Sequence, residues 1–287
     1  MKKLVRAGSL VVFPLLVCTL HCRLMEASPT QSKAARQRPT SELKILGGAI
    51  VEKKSLAKTA TAVTITHGVL SVISPTAILT TYGYEVTPIS RLMMRRIGLC
   101  HLNIGLLGYS CFFQPMHINQ VVGLNCAAWV LEFIRSILNK DTESCGGKVG
   151  SYYLLAAIEC GSCMAFLSSS SALVIKAASA FALVLGLFAV LSPTRLLESW
   201  QLPTGNANDV AIAADLALWL FVCRVYTAAL AWELDAIQAL VCCQIVILLR
   251  CVLINVGTNR TASLCTREPL QSFWIGYNFI ITLALLI

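Results

Sequence analysis

Charged residues lie within several of the long apolar stretches of this 287-residue chain. A charge at the centre of a bilayer costs about 2.5 to 3.5 kcal/mol, so such a residue must pair, reach water or face other helices. The candidates for a transport path or for structural ion pairs are Glu132, Arg135, Glu159, Asp215, Arg224 and Arg250. Glu132 and Arg135 are spaced to pair on one helix face. Arg224 has no acid at helical spacing, so it needs Glu132, Glu159 or an acid of another helix.

Cys160 and Cys163 form a C-x-x-C pair inside an apolar stretch. Two thiols at this spacing lie on adjacent turns of one helix face, where they can cycle between dithiol and disulfide. A C-x-x-C pair in the fourth helix of a membrane bundle is similar to vitamin K epoxide reductase, which implies thiol redox chemistry at these two residues. That family also relays electrons through cysteines between its first two helices, whereas residues 82–91 contain none here.

Other kinds of site are not indicated. His67 and His101 each lack a second ligand three or four residues away, so we predict no metal site. The chain has no phosphate loop, nucleophile elbow or dinucleotide turn, and we expect no cofactor. Its net charge of +9 comes from basic residues that flank apolar runs. This pattern is typical of helix ends at a membrane, and nucleic acid is not an expected partner.

The composition indicates the class of protein. With 56% hydrophobic and 13% charged residues, the chain has too few charges for an ordinary soluble enzyme. Its apolar runs are continuous, and a bilayer leaves no room for unpaired sheet edges, so we predict an all-α integral membrane protein. Its expected partners are the lipid bilayer and other membrane proteins.

The amino-terminal region has the composition of a targeting segment. Lys2, Lys3 and Arg6 precede an apolar run over residues 10–20, which predicts a signal peptide over 1–27. Residues 28–57 form a basic linker or a transit-like segment. We therefore expect an endomembrane location, with a plastid membrane as the alternative.

An internal repeat organises the remaining chain. Residues 58–76 and 176–194 are identical at eight of nineteen positions at an offset of 118, including Gly68 with Gly186. A second match places Arg135 on Arg250. We predict two tandem four-helix units, 58–170 and 171–287, with about eight spans. The predicted spans are residues 58–82, 91–113, 118–138, 149–168, 171–197, 210–231, 234–254 and 270–287. Because each unit has an even number of spans, the two units are expected to be parallel.

The repeated Ser-Pro-Thr triplet marks the end of the first span of each unit. Proline suits the first turn of a helix and the preceding serine can cap it, so either a short interfacial helix begins there or one long helix kinks. Tyr82, Tyr84 and Trp200 are then expected at the depth of the headgroups. Gly98, Gly105 and Gly108 of the second span predict close helix packing.

The first helix pair carries a family resemblance. A helix ending at Ser74-Pro75, the pair Tyr82-Gly83, and Arg96-Ile97-Gly98 opening a glycine-bearing helix together resemble small DoxX-like four-helix membrane proteins. The resemblance implies a four-helix membrane unit and little about activity.

Three functions agree with these patterns. The first is a non-enzymatic scaffold or accessory subunit of a membrane assembly. The second is a small-solute transporter that uses the charged residues between the units. The third is a membrane thiol oxidoreductase that uses Cys160 and Cys163.

Overall fold

The computed structural model describes residues 43–44, 50–51, 53–168, 171–256 and 268–286, with side chains for 53–168, 171–249 and 275–286. The chain forms two compact units, Met1–Glu52 and Lys53–Ile287. In the first unit, β1 (Leu43–Lys44) pairs antiparallel with β2 (Ile50–Val51). The predicted signal peptide and most of the predicted linker lie outside the described residues.

The described residues of the second unit form eleven helices. They are α1 (Lys53–Ile73), α2 (Pro75–Tyr82), α3 (Pro88–Phe112), α4 (Ile118–Leu138), α5 (Asp141–Ser144), α6 (Gly150–Ser168), α7 (Ala172–Leu191), α8 (Pro193–Ser199), α9 (Ala207–Ala231), α10 (Ala236–Val256) and α11 (Glu268–Leu286). Every predicted span coincides with a helix to within a few residues, apart from two that are divided. The all-helical prediction is confirmed for this unit.

Five of the described helices are long and apolar enough to cross a membrane: α1, α4, α6, α7 and α9. They are compatible with an integral membrane protein. Helix α3 has 25 residues but carries three arginines in its first half, which lower its hydropathy.

Two of the predicted spans are divided at the Ser-Pro-Thr triplets. Helix α1 ends at Ile73 and α2 begins at Pro75, and α7 ends at Leu191 before α8 begins at Pro193. The intervening serines have non-helical backbones, with φ, ψ of −131°, 60° at Ser74 and −143°, 77° at Ser192. The predicted break is therefore confirmed, because proline lacks the amide hydrogen that a continuing helix needs. The predicted capping is wrong, since neither serine side chain caps its short helix.

Two aromatic residues that follow these short helices are buried. Tyr84 and Trp200 are 5% and 7% exposed, so they lie inside the bundle. Each contacts a buried charge, as described below, and their position at headgroup depth stays a prediction.

Helices α3 and α9 form the centre of the bundle and run parallel. Near their first turns, Thr87 donates a hydrogen bond to Asp209 at 2.6 Å. Further along, the rings of His101 and Trp219 are 4.0 Å apart. The outer helices α6 and α7 expose large apolar side chains, among them Leu154, Met164, Leu173, Phe181 and Leu191. This arrangement places apolar side chains outside and polar ones inside, as expected when lipid surrounds a bundle.

Glycines allow α1 and α3 to approach closely. A Cβ atom on Gly98 would lie 2.7 Å from the Ser71 Cβ and 2.8 Å from the Gly68 carbonyl oxygen. Gly105 and Gly108 face Ile65 and Thr61 of α1 in the same way. The predicted packing role of these glycines is confirmed.

A salt bridge joins α7 to the turn after α9. Lys176 Nζ lies 2.8 Å from Glu233 Oε1. The hydrogen bond from Lys176 and its charge hold the pKa of the exposed Glu233 carboxyl below its ordinary value. The salt bridge therefore stabilises the fold fully at a pH above the ordinary pKa of glutamate, and this contribution is lost as the pH falls through the lowered pKa of Glu233.

We expect carbon NMR to show that Glu233 titrates at a lower pH than a free glutamate. Lys176→Met should remove this difference because it removes the charge that pairs with Glu233. An unchanged titration midpoint in that variant would contradict the pairing.

Candidate ligand cavity

A cavity of about 110 Å³ lies between α1, α3, α9, α10 and α11. Much of its wall is apolar and buried, formed by side chains such as Met94, Ile97, Val222, Leu240 and Ile247. Polar side chains also line it: Thr61, Thr64, His67, Tyr82, Tyr84, His101, Asp215, Tyr226, Gln244, Tyr277 and Asn278. The cavity therefore has an apolar side and a hydrogen-bonding side.

Asp215 is the buried acid of the polar wall. It lies on α9, is 3% exposed, and accepts a hydrogen bond from the Tyr84 hydroxyl. Tyr84 reaches it because Gly83 ends α2 in the left-handed conformation, with φ of 81°, which a residue without a Cβ adopts at little cost. The turn that follows Tyr84 is fixed to α9 by a hydrogen bond from the Glu85 amide to Asn208 at 3.0 Å.

Two histidines from different helices meet at the cavity. The rings of His67 on α1 and His101 on α3 are 4.5 Å apart. His67 Nε2 is hydrogen-bonded to the Tyr82 hydroxyl. His101 Nδ1 lies 2.8 Å from the Ile97 carbonyl oxygen, which can only accept, so Nδ1 carries a proton. In the neutral ring, Nε2 of His101 is then an acceptor.

The pair of His67 and His101 cannot be found from residue spacing within one helix, but the glycines near each histidine indicate it. Metal-ligand reasoning compares residues three or four apart, whereas His67 and His101 come from different helices. The contact between Gly68 and Gly98 brings these helices together. His67 adjoins the first glycine and His101 follows the second by one helical turn. Among the described residues, no group of three His, Cys, Asp or Glu side chains is placed to hold a metal ion.

The wall can bind a small molecule that has both a ring and a hydrogen-bonding group. The Asp215 carboxylate can accept a hydrogen bond from a ligand hydroxyl. The buried Gln244 has a side-chain oxygen without a hydrogen-bond partner among the described residues. A buried amide left unpaired is unfavourable by about 1 to 3 kcal/mol, and a donor on a ligand would relieve that.

Glu159 and Arg224 line a second, much smaller cavity of about 10 Å³. Arg224 therefore shares a cavity with an acid of another helix, α6. Within the described part of the chain, however, no ion pair joins them. Asn103 and Asn125 line the same space. It has room for about one water molecule, which could bridge the two charges.

Glu132 and Arg135 pair with each other, as predicted. Arg135 Nη2 and Nε each lie 2.8 Å from a Glu132 carboxylate oxygen, and Nη1 lies 2.7 Å from Asp141. Arg250 lies on α10, and its side chain is outside the described ones. The predicted charged residues thus occupy separate places: the end of α4, the small cavity and, for Asp215, the larger cavity.

The redox candidates are placed differently from one another. Cys160 is exposed on the outer side of α6, and Cys163 is partly buried beside α4 and α7. Both are free thiols.

Arg96 is a buried charge that the sequence reasoning did not single out as a site. Its side chain is fully buried, and its guanidinium lies 4.3 Å from the ring of Trp200, 4.8 Å from Tyr152 and 5.5 Å from Phe133. Its three side-chain nitrogens have no hydrogen-bond partner among the described residues. Aromatic faces therefore provide the stabilisation that acids usually provide.

Comparison with known proteins gives no relative from which to transfer a role. No protein-family model, curated protein or solved structure matches this chain.

Proposed function

We propose that the protein is an integral membrane protein that binds a small, lipid-soluble molecule through a ring-sized polar head. The single observation that carries this proposal is the larger cavity, which combines an apolar wall with a polar wall that includes His67, Tyr82, Tyr84 and Asp215. An apolar cavity of about 150 Å³ is known to bind benzene, so a volume near 110 Å³ suits one small ring. A phenol or hydroquinone head has the required hydroxyl donor.

We further propose that the bundle is a tandem duplication with two parallel four-helix units. Helices α3 and α9 each have 25 residues, and α4 and α10 each have 21. Helices α6 and α11 each have 19 residues. The starts of these pairs are separated by 118 or 119 residues, close to the offset of the sequence repeat. At the offset of 118 between α4 and α10, Arg250 aligns with Glu132. The helix bounds therefore do not support the sequence alignment that matched Arg250 with Arg135.

The contacts between the halves support the same proposal. Ala57 of α1 and Leu240 of α10 belong to one buried apolar cluster, while Ile175 of α7 and Val122 of α4 belong to another. These pairs are equivalent at the offset of 118. Helix α1 therefore shares a cluster with α10 as α7 does with α4, and the parallel course of α3 and α9 agrees with a two-fold relation.

The two cavities are also equivalent at this offset. Cys126 and Trp129 in the small cavity correspond to Gln244 and Ile247 in the large one. Glu159 similarly corresponds to Tyr277. Duplication of one ancestral cavity would give two sites, of which Trp129 fills one while Ile247 leaves the other open.

The buried charges follow the same pattern. Arg96 and Asp215 occupy equivalent positions of α3 and α9 at an offset of 119. Arg96 of the first half contacts Trp200 of the second, and Asp215 of the second half bonds Tyr84 of the first. Each charge thus depends on an aromatic residue that follows the short helix of the other half.

The other functions remain less supported proposals. A transport path would need the charged residues to share one route, and they lie in separate places. A scaffold role rests on the exposed apolar faces of α6 and α7, which lipid by itself would also cover. The thiol chemistry of Cys160 and Cys163 and the resemblance to DoxX-like proteins stay predictions.

Filling the cavity tests the ligand-binding proposal. We expect 4-fluorophenol to bind the purified protein saturably in detergent, measured by broadening of its fluorine NMR signal. Ile247→Trp should abolish this binding because it introduces the side chain that fills the equivalent cavity at Trp129. Leu249→Trp, on an exposed part of the same helix, is the matched control and should bind as wild type. Equal binding by both variants would rule out the cavity as the site.

A further inference from the structure

A third cavity, distinct from the two already described, opens at one end of the bundle. This groove has a volume of about 330 Å³ and lies where α1 ends and α3 begins. Its polar and charged lining side chains include Ser74, Thr76, Arg91, Arg95, Arg135 and Asp141. Three arginines and one acid leave its wall with an excess of positive charge.

Two of these arginines are available to a ligand. Neither Arg91 nor Arg95 forms a side-chain hydrogen bond or ion pair with another described residue, and Arg95 Nε is buried without a partner. Arg135 is already held by Glu132 at 2.8 Å and Asp141 at 2.7 Å. The pairing of Asp141 with Arg135 reduces the repulsion that its carboxylate would exert on an anion.

The groove also receives the positive end of α2. Ser74 and Thr76 lie at the start of this eight-residue helix, and the Ser74 side chain makes no capping bond. Hydroxyls and the free amides of a first helical turn favour an anion at this end. Guanidinium groups bind phosphate oxygens in a planar, two-pronged geometry. The combined chemistry is that of a phosphate site.

We propose that this groove binds the phosphate of an anionic phospholipid. The surface beside the arginines is apolar: Ile73 at the end of α1 is 75% exposed and Leu138 at the end of α4 is 76% exposed. An acyl chain would cover such side chains, whereas a free phosphate ion would leave them bare. The proposal requires insertion into a membrane but does not depend on the ring-binding cavity.

Short-chain lipids provide the test. Dioctanoyl phosphatidic acid is expected to raise the unfolding temperature of the full chain in a neutral detergent saturably, while dioctanoyl phosphatidylcholine has no comparable effect. Arg91→Gln with Arg95→Gln should weaken the apparent affinity by about tenfold or more, because both unpaired cations of the groove are removed. Arg91→Gln alone keeps the fold, because this side chain is exposed, and should weaken binding by several-fold.

A charge-matched control separates this groove from general attraction. Lys148 and Arg195 are exposed and lie outside the groove, so Lys148→Gln with Arg195→Gln changes the net charge equally. Equal weakening by both double variants would overturn the proposal. Displacement of the lipid by inorganic phosphate at the same concentration would also overturn it, because the site would then recognise the free ion. Retention of wild-type affinity in the control alone would support the assignment.

Discussion

Trp200→Ala is expected to lower the free energy of unfolding by about 3 to 5 kcal/mol, the range for removing a large buried aromatic side chain. Trp200 is 7% exposed and has the ring nearest to the Arg96 guanidinium, at 4.3 Å. Its removal leaves a cavity and also deprives a fully buried cation of its nearest partner. Denaturation by guanidinium in detergent, followed by circular dichroism, measures the change.

A double-mutant cycle separates the two effects. In an Arg96→Met background the cavity is still created, but no buried charge loses its partner. We therefore expect Trp200→Ala to be less destabilising there by about 2 kcal/mol, the value of a desolvated cation–π contact. Additive effects would show that Trp200 only fills space. Because isolated buried charges are unfavourable, Arg96→Met by itself is expected to be tolerated.

Gly98→Leu should prevent the bundle from folding. Its Cβ would lie 2.7 Å from the Ser71 Cβ and 2.8 Å from the Gly68 carbonyl oxygen, so the backbones of α1 and α3 must separate. Separation would also move His67 from His101 and break open the cavity wall. Overpacking by a few atoms costs about 1 to 3 kcal/mol, and a whole leucine side chain at a backbone contact costs more. Yield of monodisperse protein in size-exclusion chromatography is the measurement.

Gly161→Leu is the matched control for this substitution. Gly161 is also within a helix, but a Cβ atom there would meet nothing within 4 Å. We expect this variant to fold as wild type or slightly better, since glycine disfavours helix by about 1 kcal/mol. If both leucine variants accumulate equally, the close approach of α1 and α3 is incorrect.

Much of the secondary structure could be predicted from local sequence. The predicted span 118–138 coincides with α4, and the proline triplets mark both helix breaks. These features depend on apolar run length and on the missing proline amide, both of which are local. The pairing of Glu132 with Arg135 was predictable for the same reason, since helical geometry by itself brings the two residues together.

The environment of the aromatic residues was not predictable in this way. Tyr84 and Trp200 follow short helices at bundle ends, where membrane aromatics usually face headgroups. In the fold each contacts a charge more than a hundred residues away, Asp215 and Arg96 respectively. A single sequence shows that a buried charge needs a partner, but not which distant ring or hydroxyl supplies it.

The sequence by itself determined the helices, their breaks and the lipid-compatible apolar surface, because hydropathy and proline act over a few residues. Only the tertiary structure decided that His67 meets His101, that Asp215 faces the larger cavity and that Arg96 is enclosed by three rings. Those outcomes depend on which helices cross and how closely. The crossing is set by side-chain volume at contacts such as Gly68 with Gly98, and the physical reason is steric fit between segments far apart in the chain.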